Sequence, residues 1–263
     1  MPRRSAPSTW IAPLALALLT GCGHPVPEAV APVRPDPVPV APTPVSGQPT
    51  TQPAAQQEGA QLLAGLRQTF LACKGIEAEV TSYSEGRFKS GKPVSELRKN
   101  TSRTKLVWGK PNRMRGEILE TDNFLVSGAR MASTDGKTIT VRAGGVLGLV
   151  PLKLQATDPM LASNRDHHFD DMMPSALLTW IMGPQAVWTV IGDGVVKGAK
   201  VKLIRVSNVA HLDKGLTEER IAVEPGTFVV RNLAMYEGDK KVVDYTFTRF
   251  RWNPTINSDT FKL

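Results

Sequence analysis

Hydrophobic and polar residues alternate with two different periods along the chain, and the periods separate helices from strands. Between residues 60 and 71 the apolar positions lie on one stripe of a helix: Leu62, Leu63, Leu66 and Phe70. After Lys74-Gly75 the period becomes two, since Ile76, Ala78 and Val80 alternate with polar residues. The pattern predicts an N-terminal helix followed by a strand with one solvated face.

The same alternation continues for most of the chain and predicts a large antiparallel sheet. Further strands are predicted at about 96–108, 112–121, 129–134, 137–143, 187–192, 199–208, 219–224, 227–237 and 240–252. Turn signals separate them, among them Asp135-Gly136, Gly192-Asp193-Gly194 and Gly238-Asp239. Consecutive strands joined by tight turns run antiparallel, and a sheet of about ten strands curls on itself.

The alternation stops between Gly144 and Pro184. Residues 174–182 form a short apolar helical pattern that ends at Gly183-Pro184, and residues 146–152 are apolar without an evident partner strand. A single curled sheet has one apolar face to cover, and these pieces with the N-terminal helix are the available cover. We predict a concave apolar face under a mid-chain helical lid, which is the usual form of a small-molecule pocket.

Proline divides the chain, because ten of its 21 prolines fall between Pro25 and Pro53. Proline at every second or third position prevents helices and sheet ladders and leaves an extended spacer, at ~3.1 Å per residue. We therefore place a linker at residues 22–55 and a β-domain at residues 56–263. A role for the linker as a proline-rich recognition segment is the alternative.

The first 21 residues read as an export signal. Arg3 and Arg4 precede an apolar run that is too short to span a bilayer, and Leu19-Thr20-Gly21-Cys22 follows. This sequence resembles the lipobox of bacterial lipoproteins, in which the Cys22 thiol takes a diacylglyceryl group; an ordinary signal with a chance cysteine is the alternative. Acyl chains such as palmitate would anchor the protein in the cell envelope. Gly23 is not the aspartate that retains lipoproteins on the inner membrane, which favours the outer membrane.

Charge and motifs argue against nucleic-acid binding and catalysis. The net charge of +8 is scattered without a basic run. The sequence contains no GxSxG, phosphate-loop or dinucleotide-binding motif, so we expect that the protein is not an enzyme and binds no cofactor. His167, His168 and Asp170 are residue types found in metal or catalytic sites, but their spacing matches no metal motif and we expect no metal. An enzyme that uses these three residues remains the least favoured hypothesis.

Three segments resemble the periplasmic lipoprotein carrier of the Lol pathway and its superfamily. Residues 106–115, LVWGKPNRMR, resemble its basic-Pro hairpin, and residues 133–138, STDGKT, resemble its S-D-G-K-T hairpin. Residues 245–261 resemble its last strand and tail. The resemblance implies a mainly β (α+β) fold, in which a single curled antiparallel sheet forms an open half-barrel plugged by helices, with an apolar cavity for acyl chains.

The resemblance also implies a role for Arg115, which matches an arginine that bonds the lid and controls its opening in the carrier. Strand parity leaves its direction open, because Met114 points outward if Arg115 points inward. We expect the ligand-binding residues to lie on the inner face of the sheet and on the lid. They are Arg115, Trp108, Met114, Leu149, Leu177, Leu178, Ile181 and Phe247.

The sequence therefore predicts a membrane-anchored, non-enzymatic lipoprotein that binds a lipid or lipoprotein acyl chains, for envelope transport or sorting. The alternative is a regulatory or scaffold lipoprotein that uses the same fold to sense or dock an envelope protein. The two hypotheses can be distinguished by whether protein partners stay bound after lipid is removed, which the second hypothesis predicts. The first hypothesis depends on a concave face that is loosely covered.

Overall fold

Alternating inward apolar and outward polar side chains build one antiparallel sheet from most of the chain. The computed structural model describes residues 53–122, 127–144, 150–169, 173–183, 186–207 and 215–263, with the backbone alone for 177–180. The predicted signal, Cys22 and all but the last residues of the linker lie outside the described residues. The strands are β1 (Gly75–Lys89), β2 (Lys92–Gly109), β3 (Arg113–Thr121), β4 (Arg130–Ser133), β5 (Thr138–Arg142), β6 (Leu152–Gln155), β7 (Val187–Val196), β8 (Ala199–Ser207), β9 (Glu218–Val223), β10 (Val230–Glu237) and β11 (Lys240–Trp252).

The sheet is open, and its order is β6-β5-β4-β3-β2-β1-β11-β10-β9-β8-β7. Consecutive strands pair with each other, except β6 and β7, and β1 also pairs with β11, which joins the two halves of the chain at the centre. Among the described strands, β6 and β7 form the two edges. The predicted fold class, a curled antiparallel half-barrel with helices, is confirmed.

The concave face carries the hydrophobic core, and the convex face carries ion pairs. On β1 the side chains of Ile76, Ala78 and Val80 are buried, while Glu77 and Glu79 face the other side. Glu77 pairs with Lys105 at 3.1 Å and with Arg251 at 2.6 Å, one cation from each neighbouring strand. Between the bulges, this parity fixes the direction of the neighbouring side chains across the sheet.

Two helices lie on the concave side. Helix α1 (Ala54–Ala72) buries Leu62, Leu66 and Phe70, which follow the predicted apolar stripe. A side chain at Gly59 would collide with the backbone carbonyl of Trp188 on β7, so α1 starts close against that edge of the sheet. Helix α2 (Pro174–Ile181) matches the predicted mid-chain helix. Short 3-10 helices occur at Pro159–Leu161 and Ser258–Phe261.

The strand predictions were wrong in two places. The sequence analysis predicts no strand between residues 144 and 184, whereas β6 pairs with β5 along Leu152–Gln155 and raises the number of described strands to eleven. The turn predicted at Gly192-Asp193-Gly194 lies inside β7, which bulges between Val190 and Gly192 and continues to Val196. The chain reverses instead at Lys197-Gly198, where both residues have positive φ, as a two-residue hairpin turn requires.

Candidate functional site

One end of the concave face is apolar and is covered by α1. Trp108 on β2 and Met114 on β3 are opposite each other in register and are 1% and 0% exposed. The ring of Phe70 on α1 stacks on Trp108, with ring centroids 5.3 Å apart. Phe70 of α1 thus covers Trp108, and neither Trp108 nor Met114 has more than a trace of exposed surface. An acyl chain can reach this part of the face only when the cover moves.

The carboxyl end of α1 is held by polar contacts as well as by packing. Lys110 Nζ donates to the carbonyl oxygens of Phe70, at 3.1 Å, and Leu71, at 2.7 Å, which complement the negative end of the helix dipole. The Cys73 thiol donates to the Phe70 carbonyl at 3.2 Å. Burial raises the pKa of the Cys73 thiol, so the thiol is held in its unreactive form.

Helix α2 bridges the two halves of the sheet. The indole N–H of Trp188 on β7 donates to the carbonyl of Ile181 at 2.8 Å, and both side chains are buried. At its other end, the Ser175 hydroxyl donates to Asn112 Oδ1 at 3.3 Å, in the turn between β2 and β3. Ile181, which the sequence analysis predicted as a ligand-binding residue, therefore packs in the core. The predicted Leu177 and Leu178 side chains and residue Leu149 lie outside what the structure describes.

A third covering piece, residues 156–169, belongs to the mid-chain region in which the sequence analysis placed the cover. Asn164 is buried, and its side-chain amide donates to the carbonyl oxygens of Ser84, at 3.1 Å, and Arg98, at 3.3 Å. The backbone carbonyl of Asn164 accepts from the Phe88 N–H at 3.1 Å. Gly86 stands at a bulge in β1, where any side chain would collide with the Asn164 carbonyl. Asn164 thus fastens this segment into the β1–β2 hairpin.

An arginine does join a covering segment to the sheet, but it is Arg165. Its guanidinium donates to the Glu85 carbonyl at 2.9 Å and pairs with Glu237 at 2.5 Å, and its side chain is only 6% exposed. Glu85 also contacts the Tyr83 hydroxyl and the Lys240 ammonium, and these partners hold the pKa of its carboxyl below the usual range. The segment is therefore fixed by charged hydrogen bonds in a largely desolvated place.

The structure settles the direction of Arg115, which strand parity left open. Met114 is buried on the concave face, so the parity of β3 directs Arg115 to the convex face. There its guanidinium donates to the carbonyl oxygens of Thr260 and Lys262, each at 3.2 Å. Its described contacts are thus with the C-terminal segment rather than with a lid, and it stands beside a convex cavity of about 400 Å³.

Phe247 lies on the concave face, opposite Val80, as its prediction as a lining residue requires. It is partly buried against the core and meets Phe250 edge to face, with centroids 6.4 Å apart. The structure therefore brings Trp108, Met114, Ile181 and Phe247 to the concave side. Their role in ligand binding stays a prediction.

Towards the hairpin end of β1 and β2 the concave face becomes polar. The buried hydroxyls of Ser82 and Ser102 share a hydrogen bond of 2.7 Å. Nearer the apolar end, the Thr104 hydroxyl and the Trp108 N–H are buried without a hydrogen-bond partner among the described residues. Such orphaned groups cost about 1–3 kcal/mol each, so they favour a partner that carries hydrogen-bonding atoms.

Glu219 is the most unusual residue of the concave face. It lies on β9 between Val206 and Met235, is 0% exposed, and neither carboxyl oxygen has a hydrogen-bond partner among the described residues. Desolvation raises the pKa of Glu219 to about 8, so the carboxyl is mostly neutral at pH 7. The sequence signal that could have identified Glu219 as buried is its position, because it lies on the same face of the period-two pattern as Ile221 and Val223.

The histidine cluster has no site geometry in the described part of the chain. His167 is buried, and its backbone N–H donates to Ser163 Oγ at 3.0 Å, so the local turn positions it. Asp170 lies outside the described residues. Within them, no group of three or more potential metal ligands comes together.

A further cavity of about 190 Å³ lies near Glu85 and Arg165 at the hairpin end.

Sheet order, curvature and cover place this chain in the class of open antiparallel half-barrels. Solved structures with a similar fold include an uncharacterised conserved protein from Thermus thermophilus, at 10% identity and a TM-score of 0.47 over 79% of this chain and 94% of that one. The Mycobacterium tuberculosis lipoprotein LppX is similar at 15% identity and a TM-score of 0.44, over 76% and 99% of the two chains.

A LolA superfamily protein from Nitrosomonas europaea is similar at 8% identity and a TM-score of 0.37, over 78% and 97% of the two chains. No protein-family model matches the sequence, and no curated protein is similar to it. Among the helices of the described ranges, none has the length and apolar character that a membrane crossing requires.

Proposed function

We propose that this chain is a lipid-anchored envelope protein that binds the acyl chains of a lipid, or of another lipoprotein, on the concave face of its sheet. It does so without covalent chemistry. The observation that carries the proposal is the apolar concave face around Trp108 and Met114, which is covered by separate helices and not by a second sheet. Separate covering pieces can move apart while the sheet keeps its own hydrogen bonds.

The buried polar atoms support a ligand with carbonyl groups. Trp108 Nε1 and Thr104 Oγ1 have no acceptor among the described residues, and an ester or amide carbonyl at the head of an acyl chain would accept from either. The predicted ligand contacts in this region are Trp108, Met114 and Phe247 on the sheet and Ile181, Leu177, Leu178 and Leu149 in or near the cover.

The described apolar end is filled, which differs from the loose cover that the sequence analysis expected, so binding has to include an opening step. Burying about a dozen methylenes at ~0.8 kcal/mol each offsets an association cost of several kcal/mol. The remaining binding free energy is available to displace α1, whose carboxyl end is held by Phe70 and Lys110. Ligand binding should therefore expose the thiol of Cys73, which lies at that end and is buried without ligand.

The test uses the chain from residue 23, which keeps every described element and contains Cys73 as its only cysteine. Lipid is extracted with organic solvent and identified by mass spectrometry, and cis-parinaric acid is titrated as a fluorescent acyl probe. We expect saturable binding and faster reaction of Cys73 with a thiol reagent when the probe is bound. Absence of both extracted lipid and saturable fluorescence would overturn the proposal and favour the scaffold alternative.

A pair of tryptophan variants tests the site itself. Trp108→Phe keeps a stacked ring but removes the orphaned N–H, and should weaken probe binding about fivefold, as the loss of one hydrogen bond predicts. Trp252→Phe is the control, since the Trp252 N–H already donates to the Thr227 carbonyl at 3.2 Å. Equal affinity of the two variants would remove Trp108 from the site.

Anchoring is proposed at Cys22, with the body of the protein in the periplasm and the outer membrane as the favoured membrane. Metabolic labelling with an alkyne analogue of palmitate should mark the full chain and should not mark Cys22→Ser. Fractionation of the two membranes then assigns the location. Labelling that persists in Cys22→Ser would disprove anchoring at this residue.

A further inference from the structure

The β7–β8 hairpin projects beyond the rest of the sheet. Strand β8 pairs with β9 only along 202–206, whereas it pairs with β7 as far as Val196 and Ala199. The residues from 195 to 200 therefore form a two-stranded tip, which we call the hairpin tip. At its turn, Gly198 has no neighbouring atom within 4 Å of the place a side chain would take.

The hairpin tip is both apolar and basic. Val195 is 68% exposed although it stands in a regular strand, and Val196 beside it is half-buried. Lys197 and Lys200 are exposed, and neither has an ion pair with a described residue. Exposed valine flanked by free lysines is the composition of surfaces that touch anionic lipid headgroups and enter them to a shallow depth.

The chain that leads to the proposed anchor leaves the fold beside this hairpin. Lys202 on β8 pairs with Glu58 near the start of α1 at 2.9 Å and with Asp193 on β7 at 3.0 Å. Helix α1 begins at Ala54, four residues before Glu58, so the linker toward Cys22 starts beside the hairpin tip. The anchor would thus hold this side of the domain near the membrane.

We propose that the hairpin tip contacts the anionic surface of the membrane that holds the anchor. The inference rests on anchoring at Cys22 but not on ligand binding in the concave face. The valines enter the headgroup region, and Lys197 and Lys200 lie against lipid phosphates. Because the anchor already confines the domain to the surface, weak contacts by a few side chains are enough to orient it.

The test places an environment-sensitive fluorophore, nitrobenzoxadiazole, on the acylated full chain in vesicles. Val195→Cys carries it at the tip, and Asp239→Cys carries it in the β10–β11 turn at the opposite end of the sheet, each with Cys73→Ala. In vesicles of phosphatidylcholine and phosphatidylglycerol, emission at position 195 should rise about twofold and shift to shorter wavelength, as burial in headgroups predicts. Emission at position 239 should not change.

Charge variants complete the experiment. The double change Lys197→Glu and Lys200→Glu, or high salt, should abolish most of the response at position 195. Equal emission at the two positions, or an equal response in phosphatidylcholine alone, would overturn the proposal. A response without vesicles that grows with protein concentration would also overturn it, because a second copy would then cover the tip. Failure of anchoring is distinct, since the protein would not remain on any vesicle.

Discussion

The indole ring of Trp108 on β2 and the phenyl ring of Phe70 on α1 lie stacked at 5.3 Å with an angle of 20° between their planes. This contact fastens the end of the covering helix to the apolar end of the concave face. Removing it in Phe70→Ala should lower the free energy of unfolding by about 3–4 kcal/mol, since a large buried ring is lost. The Cys73 thiol should also react faster with a thiol reagent in the native protein.

Leu71→Ala is the matched control for Phe70→Ala, because Leu71 is the next residue of α1 and is 65% exposed. Urea denaturation should place its stability within about 0.5 kcal/mol of the parent chain. If the two variants lost equal stability, or if Cys73 reacted at the same rate in both, the stacked pair would not be what holds α1.

Arg165 and Arg115 should respond differently to truncation. Arg165→Ala removes a buried guanidinium that joins Glu85 and Glu237, and should cost about 2–3 kcal/mol. It should also make the 156–169 segment sensitive to limited proteolysis. Arg115→Ala loses two bonds to the C-terminal segment, and should loosen that segment at a cost of about 1 kcal/mol.

Binding of cis-parinaric acid separates the two arginines further. Arg115→Ala should leave the affinity unchanged, because the side chain lies on the convex face. A large loss of affinity in Arg115→Ala, with proteolysis of 156–169 unchanged in Arg165→Ala, would restore the predicted role of Arg115 as a latch.

Glu219 should make stability depend on pH. With a pKa of about 8 in the folded chain and an ordinary value of 4.5, the folded state keeps a proton that the unfolded state releases between these values. Stability from this residue is therefore full below pH 4.5 and falls as pH rises toward 8, by roughly 1.4 kcal/mol per pH unit. Glu219→Gln should lack this fall and should be more stable than the parent chain at pH 8.

The control for this prediction is Glu218→Gln on the same strand, where the carboxyl faces outward and pairs with Arg205 at 3.2 Å. Urea denaturation from pH 5 to pH 8.5 should show the parent slope in Glu218→Gln and a reduced slope in Glu219→Gln. Identical pH profiles for both variants would mean that Glu219 ionises normally.

Trp188 should hold α2 in place through one hydrogen bond. Trp188→Phe leaves the Ile181 carbonyl buried without its donor, at a cost of about 1–3 kcal/mol. Hydrogen exchange of the α2 amides should accelerate, while exchange in β8 stays slow. If α2 exchange were unaffected, packing alone would fix this helix.

The period-two pattern was enough to predict the sheet, but the ends of its strands depend on side-chain contacts between paired strands. The alternation ended at residue 81 because Ser82 and Ser84 are polar, yet β1 continues to Lys89. Ser82 can be buried because its hydroxyl meets that of Ser102, twenty residues away. A single strand gives no sign of such a partner, so the polar end of the concave face was not predicted.

The direction of Arg115 and the role of Arg165 were beyond the sequence for a related reason. Parity states that Met114 and Arg115 face opposite sides, but packing on the core decides which side each takes. Arg165 lies in an irregular segment whose contacts are with residues about eighty positions earlier and seventy positions later. Local patterns carry no information about such distant partners.

The central strand pair is formed by β1 and β11, from opposite ends of the folded region. A polypeptide threaded across a membrane from its amino terminus cannot finish this sheet until its final strand has emerged. Before that moment β1 has a bare edge that invites pairing with other chains. Strand order thus makes the appearance of the last strand the event that permits the sheet to be completed.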